Sequence, residues 1–318
     1  MSIQAKNNIV VVGSLNADLV QRVARFPRPG ETIVGSDLDI VPGGKGANQA
    51  CAAGLAGGRV SMIGQVGKDP FGPVLIESLK KANVEVSHIR SSATATGTAA
   101  ILVLGTGENV IVISPGANAS LTTEAVQGRL DQIGKGSLLL TQLEVPLETT
   151  QFCLEYARRC GATSILDPAP AQNLSSEVLQ LVDFLTPNQT EATLLLGLDR
   201  EIETCEEAEQ AAQELRRRGP STVIVKMGHL GVVIGNASGC ERVKTFPVEA
   251  IDSTAAGDTF NGAFAAALAE GTSVAEAARF GNAAAAISVT RQGAQSSIPH
   301  RAEIERLLAA SNSLPIRT

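Results

Sequence analysis

Short apolar runs alternate with stretches of three-to-four apolar spacing over most of this 318-residue chain. Residues 9–12 are wholly apolar and stop at Gly13, the pattern of a strand buried on both faces of a parallel sheet. Further strands are predicted at 60–65, 138–143, 163–166, 184–186, 222–225 and 232–235. Between them, helical periodicity covers 48–55, 71–82, 147–160, 191–196 and 206–218, and helices at 258–270 and 274–291 close the core. Such alternation predicts an α/β fold, a mostly parallel sheet with helices on both faces. A different texture interrupts it. Residues 22–30 are polar and proline-rich, 32–41 alternate like a half-exposed strand, and 99–104 with 110–114 form a hairpin around Gly105-Thr106-Gly107. These pieces group as a small β-layer, a discontinuous lid of about 15–41 and 99–114 on a single domain spanning 1–318. No internal repeat or low-complexity linker divides the chain.

Composition narrows the class. Apolar residues at 44% and charged residues at 18% describe a globular protein with a sizeable core. A net charge of −6 disfavours nucleic acid or an anionic membrane as partner, and a chain with no Trp and one Tyr (Tyr156) lacks a base-stacking platform. No apolar run approaches a membrane span, and residues 1–8 are polar without an apolar signal region. Five cysteines (Cys51, Cys153, Cys160, Cys205, Cys240) form no CxxC pair, which reads as reduced thiols in a cytoplasmic protein. His88, His229 and His300 lie far from one another and from any cysteine cluster, so surface or core roles suit them.

The candidate chemistry centres on Asp252-Ser253-Thr254-Ala255-Ala256-Gly257-Asp258-Thr259-Phe260. Ala255, Ala256 and Gly257 carry nothing larger than a methyl, so another molecule can approach their backbone. Phe260, Phe264 and Leu268 then mark one apolar helix face. Small residues opening a helix leave its first N–H groups aimed outward, where the peptide dipoles favour an anion and keep the carboxylate of Asp258 ionised. An anion cradle beside a base is what phosphoryl transfer to a hydroxyl needs. Asp258 as a helix cap is the plainer alternative.

Other polar residues converge on strand ends, where open α/β sheets bind ligands. Asn16 and Asp18 follow the first strand, Glu144 follows 138–143, Asn188 follows 184–186 and Gly228 follows 222–225. Gly43-Gly44-Lys45-Gly46 ahead of Asn48 is either a flexible turn or backbone that approaches a ligand. With Asn16, Asp18 and Glu144, Asn48 offers donors and acceptors for several hydroxyls, a polyol site. Asn188 and Glu191 form a capping box, or place Glu191 near hydrated magnesium. Gly228-His229-Leu230-Gly231 is a tight hairpin turn or a loop under a nucleotide. Walker A, GxGxxG and protein-kinase signatures are absent.

As a set, these stretches resemble the ribokinase/PfkB family of carbohydrate kinases, from Gly13 to Pro299. Its two signatures stand as Gly43-Gly44-Lys45-Gly46-Ala47-Asn48-Gln49 and as the 252–260 segment. Gln142-Leu143-Glu144, Asp167-Pro168-Ala169-Pro170-Ala171 and Gly293-Ala294-Gln295-Ser296-Ser297 add ribose-kinase detail. The resemblance implies a three-layer α/β fold with a small β-sheet lid, and phosphorylation of D-ribose at O5 by ATP. It implies Asp258 as base and Ala255, Ala256 and Gly257 as backbone anion hole. Asn16, Asp18, Gly44, Lys45, Asn48 and Glu144 would hold the sugar. ATP would meet Asn188, Lys226, Met227, Gly228, His229, Leu230, Gly231, Gly257 and Asn282. Glu191 would act on magnesium through water, and an activating potassium ion maps to Asp252, Thr254, Ser288, Arg291, Gly293 and Ser297. A homodimer through the β lid is also implied. The chain has Ala255 where many relatives have Gly, Asn282 where some have His, and Asp167 in place of a frequent Asn, the last expected to matter little. A kinase for a related sugar such as deoxyribose, a nucleoside kinase of the same family, a non-catalytic regulator and, more distantly, a dehydrogenase are the rival readings.

Overall fold

The computed structural model of the chain describes residues 7–312. The polar start read above as lacking a signal region therefore lies, up to residue 6, outside the described residues. The first half runs β1 (Asn8–Val12), β2 (Asn16–Val23), β3 (Asp39–Gly43), α1 (Lys45–Leu55), β4 (Arg59–Val66) and α2 (Phe71–Lys81). There follow β5 (Val84–Glu85), β6 (Ile89–Ser91), β7 (Gly97–Leu104), β8 (Asn109–Ser114) and α3 (Thr123–Gln127). The middle holds β9 (Leu138–Thr141), α4 (Leu147–Cys160), β10 (Thr163–Leu166), α5 (Ser176–Leu179), β11 (Phe184–Leu185), α6 (Gln189–Leu196) and α7 (Cys205–Arg217). The chain closes with β12 (Thr222–Lys226), β13 (Val232–Asn236), β14 (Gly239–Val243), α8 (Ala256–Ala269), α9 (Val274–Ser288) and α10 (Arg301–Asn312).

The apolar runs become a ten-stranded sheet ordered β14-β13-β12-β11-β10-β9-β1-β4-β5, with β6 also on β4. It is parallel from β12 to β5, and β13 and β14 extend it antiparallel. Successive side chains of a strand point to opposite faces, so an all-apolar strand feeds two cores. Ile9 and Val11 of β1 enter one cluster with Phe260, Phe264 and Ala277 beneath α1, α8 and α9. Val10 and Val12 enter the other with Cys153, Ala192 and Ala208 beneath α4, α6 and α7. The result is three layers.

Two close approaches position the site. A Cβ at Gly262 would fall 2.7 Å from the backbone nitrogen of Ala53, so α1 and α8 run nearly backbone to backbone. Gly44 opens α1 at φ +89°, a conformation glycine adopts without a Cβ penalty.

A separate four-stranded sheet, ordered β3-β2-β7-β8, is joined to β1 by the short link 13–15. Its β2 pairs parallel with β7 and antiparallel with β3, and β7 pairs antiparallel with β8. β8 is exposed along its whole length, apolar Val110 to Ile113 included.

Several boundaries differ from the sequence reading. Of the strand predicted at 32–41 only the end forms, as β3; Pro27 and Pro29 lack donors, and Glu31 pairs with Arg25 and accepts the Arg28 amide at 3.0 Å, so the insert folds back on itself. The helix predicted from Asn48 starts at Lys45, so the glycine stretch is its cap and first turn, not a loop before it. The strand predicted to 143 ends at Thr141, because the Leu143 amide turns away to Ala169 O at 2.9 Å. The last long helix ends at Ser288, three residues early. β5, β6, β14, α3, α5 and α10 were not predicted. All five cysteines are free, and no helix among the described residues is long and apolar enough to cross a membrane.

Candidate functional site

The strand order reverses between β1 and β9, and the crevice at such a switch point is where open α/β sheets take ligands. Chain leaving the two strands meets there. Ser14 Oγ donates to Glu144 Oε2 at 2.6 Å, and the Lys45 amide donates to the same oxygen at 3.0 Å. Asn16 is buried, its Oδ1 accepting from Asn118 Nδ2 at 2.7 Å while Asn118 also grips both backbone groups of Leu15. Asp18 leans on Gly43. Burial, then the charges of Glu144 and Asp258, push the Asp18 carboxyl up to about 7.

Asp258 stands in the first turn of α8, whose cap Ala255 is left-handed at φ 57°. Its carboxylate is 5% exposed, Oδ2 accepting from Asn48 Nδ2 at 3.0 Å and Oδ1 from Gln49 Nε2 at 2.9 Å. Gln49 Nε2 also donates to Asp167 Oδ2 at 2.8 Å, and Asp167 Oδ1 accepts from Lys226 Nζ at 2.9 Å. Gln142 Nε2 holds Gln49 from behind at 2.6 Å, and Gln295 holds Asn48 at 3.3 Å. Burial raises the pKa of Asp258; Lys45 opposes that and Asp167 adds to it. The helix dipole therefore does not alone settle its charge, contrary to the sequence reading. For Lys45 burial, the largest single influence, lowers the pKa, but Asp258, Asp167, Glu144 and Glu191 together raise it above the ordinary lysine value.

A cleft of about 390 Å³ adjoins this cluster, lined by Lys45, Asp167, Asn188, Glu191, Lys226, Gly228, Ser253 and 255–258. Larger grooves of about 520 and 460 Å³ lie along 196–218 and beside Phe246, the first sharing Glu201 with the cleft. Asn188 and Glu191 do form the capping box, with Glu191 N to Asn188 Oδ1 at 2.8 Å and Asn188 N to Glu191 Oε2 at 2.7 Å. Both also face the cleft. Burial raises the Glu191 carboxyl, against the pull of Lys226.

Three predicted contacts are set apart by their bonding. The Ala256 amide donates to Ser253 O at 3.2 Å and is not free as expected; the amides heading α8 after it have no carbonyl within the helix to reach. The Met227 side chain is buried in the core, and its backbone is spent within the turn, the amide on Gly231 O at 2.8 Å and the carbonyl on the Leu230 amide at 3.1 Å. Asn282 spends its amide on the carbonyls of Val243 at 3.0 Å and Lys244 at 3.3 Å, anchoring the end of β14. His229 is exposed, and Gly228–Leu230 forms a one-turn 3₁₀ segment closed by Gly231.

The residues mapped to potassium lie at the end of α9 and in the loops beside it, where the Ile251 and Asp252 amides both reach Val289 O. Asp252 Oδ1 accepts from Thr254 N at 2.9 Å and Thr254 Oγ1 at 2.6 Å, and Oδ2 from Gly293 N at 2.8 Å. Burial works against it, yet those bonds hold the Asp252 carboxyl below its usual range. Ser288 and Ser297 donate to the nearby carbonyls of Ala285 and Ala294, and Arg291 pairs with Glu303. Among the described residues no group of three or more His, Cys, Asp or Glu could cage a metal.

Sequence reasoning assigned no role to Gln49, Gln142, Asp167, Gln295, Ser14 or Asn118. The first four stand inside the quoted motifs, so the signal was present without the pairing.

The family model described as pfkB family carbohydrate kinase matches residues 6–301. The ribokinase of Haemophilus influenzae is 44% identical, over 94% of this chain and 97% of its own. Among solved structures, the ribokinase of Thermotoga maritima is similar with a TM-score of 0.87 and 41% identity, covering 96% of this chain and 100% of the other. The Arabidopsis thaliana ribokinase complexed with ribose and ATP is similar with a TM-score of 0.86 and 32% identity, covering 96% and 99%. The three-layer fold with its small separate sheet is thus the fold anticipated from sequence.

Proposed function

The chain belongs to the pfkB family of carbohydrate kinases, and from that premise we propose that it phosphorylates D-ribose at O5 with ATP, giving ribose 5-phosphate and ADP. One observation carries the reading. A buried carboxylate, Asp258, stands at a small-residue helix mouth between the Asn16/Asp18/Glu144 cluster and the cleft lined by Asn188, Glu191 and Lys226.

Asp258 accepts the O5 proton as the bond from O5 to the γ-phosphorus forms. The bond from that phosphorus to the bridging oxygen breaks, and ADP leaves with the electron pair. A carboxyl raised above the usual aspartate range is a better match for that proton. Asn48 and Gln49 fix its orientation, and Lys45 favours its ionised form. The amides of Ala255 and Gly257 face the charge that develops on the phosphoryl oxygens. Asn16, Asp18, Asn48 and Glu144 supply donors and acceptors for the sugar hydroxyls, beside the backbone of Gly44.

Magnesium, near Glu191 through water, would neutralise phosphate charge. Both Glu191 oxygens already accept bonds from Asn188, which favours an indirect contact. Potassium would sit among the carbonyls around Asp252, Thr254 and Gly293, at the root of α8, and steady the cradle. The small sheet would close over the sugar and exclude water. Its exposed edge strand β8, with Val110 to Ile113 uncovered, suits pairing with a second copy. Free thiols throughout suit a cytoplasmic setting.

The test is a panel of pentoses, 2-deoxyribose, hexoses and nucleosides with ATP, in potassium and in sodium buffers, the product identified by mass and position. Ribose should give the highest kcat/KM, with activity restored by potassium. A site that bonds a hydroxyl discriminates strongly against an analogue lacking it. Faster turnover of a nucleoside or of 2-deoxyribose overturns the substrate, and a flat response to potassium discards that ion.

A further inference from the structure

Asp167 bridges two parts of the site that the reaction uses separately. It follows β10, is 1% exposed, and spends both oxygens: one on Lys226 Nζ at 2.9 Å, one on Gln49 Nε2 at 2.8 Å. The same Gln49 nitrogen donates to Asp258, so a single amide, with its two hydrogens, ties the two carboxylates together. Lys226 ends β12 on the cleft wall, its Nζ only 3.3 Å from where a Cβ on Gly257 would stand. An ammonium there lies at the lip of the amide cradle. We propose that Asp167 is a positioning residue for phosphoryl transfer. Its one oxygen parks the Lys226 ammonium where an arriving phosphate meets it, and its other, through Gln49, locks the orientation of the Asp258 carboxylate.

The inference rests on the kinase reading above and deepens it at the same site. A purely structural role fits the geometry less well. Buried ion pairs add little net stability over apolar packing, and this one faces a cleft while sharing a hydrogen-bond donor with the base. The charged groups that face Asp258 are Lys45 from α1, Asp18 from β2 and Asp167 from the β10 end. Those facing Lys226 are Asp167 and Glu191. Asp167 is the member common to both sets.

Asp167→Asn, Lys226→Met and the double variant test this in the full chain. Ratios are taken to wild type on whichever sugar wild type turns over fastest, so a wrong sugar leaves the test standing. Lys226→Met should lower kcat by about 10²–10³. Asp167→Asn should lower it by about 10–100-fold and move the acid limb of the kcat/KM profile down by roughly half a unit to one unit, since a like charge beside the base is gone. The double variant should be slower than Lys226→Met alone, because the Gln49 arm is still lost, but by less than the product of the two single losses. An unmoved acid limb, or losses that multiply in the double variant, overturns the proposal while the kinase reading survives. Should Asp167→Asn fail to melt cooperatively, Lys226→Met decides alone: an unchanged kcat overturns it, and a loss of 10² or more with the calorimetric sugar affinity intact supports it.

Discussion

Asp258→Asn separates the chemistry from the scaffold, because the change keeps the shape and removes the charge. Both carboxylate oxygens of Asp258 accept hydrogen bonds, from Asn48 at 3.0 Å and Gln49 at 2.9 Å. An asparagine offers one oxygen, so its amide group must face one of those two donors. The loss is a charge-assisted bond of about 1.5–3 kcal/mol. Against it stands relief. The carboxyl is 5% exposed and lies near Asp167, and both push its pKa above the ordinary value, so ionising it in the folded chain already costs stability. The two effects oppose each other at similar size, and the melting temperature should move by no more than about 4 °C. Catalysis has no such compensation. An amide cannot take the hydroxyl proton, and loss of a general base lowers kcat by about 10²–10⁴, or roughly 3–5.5 kcal/mol of barrier. The assay is ADP release at saturating sugar and ATP, with calorimetric ATP binding as the control. A kcat within tenfold of wild type, in a variant that still binds ATP, refutes the assignment of the base.

Asp18, raised to about 7, should make the KM for ribose climb as pH falls from 8 to 6, since hydroxyl donors need the ionised carboxylate; Asp18→Asn should flatten the curve. The same shift means the folded chain binds a proton that the unfolded chain lacks between 3.8 and about 7, so wild-type stability falls as pH rises through that window. Asp18→Asn should therefore melt higher than wild type at pH 8, and an equal or lower melting temperature there contradicts the burial argument. Ala255→Gly relieves a left-handed alanine worth about 1–2 kcal/mol of strain and loses about 0.5–1 kcal/mol to backbone entropy. A net gain of about 0.5–1 kcal/mol should appear in the urea midpoint, and a decrease would show that the loop demands the methyl group. Ile111→Glu places a charge on the exposed face of β8 and should halve the mass seen by light scattering; an unchanged mass rules out the lid as the dimer contact.

Elements that fill the core were the readable ones. Residues 163–166 and 147–160 form as predicted because their burial depends on their own spacing. β14 escaped notice because it is an edge strand, carrying Glu241 and Arg242 in water, with no apolar run to mark it. β5 and β6 are too short to show a period. The alternation at 32–41 misled for the opposite reason: it has a strand's pattern, but most of it has no partner strand beside it.

At the site the positions were legible and the pairings were not. Gln49 reads as an ordinary helix residue, yet it joins partners 118 and 209 residues away in sequence. Nothing local in the sequence shows that Asp167, expected to matter little, is buried against Lys226 and Gln49. Its charge has a consequence no spacing could express. An ordinary aspartate in water is too weak a base to take a hydroxyl proton with ease. Removed from water and set beside a second carboxylate, Asp258 holds a proton more tightly than an exposed aspartate, while Lys45, with four carboxylates around it, pulls the other way. The basicity proposed for Asp258 is therefore a property of the assembled cluster, and an asparagine at 167 would leave both family signatures intact while removing part of it.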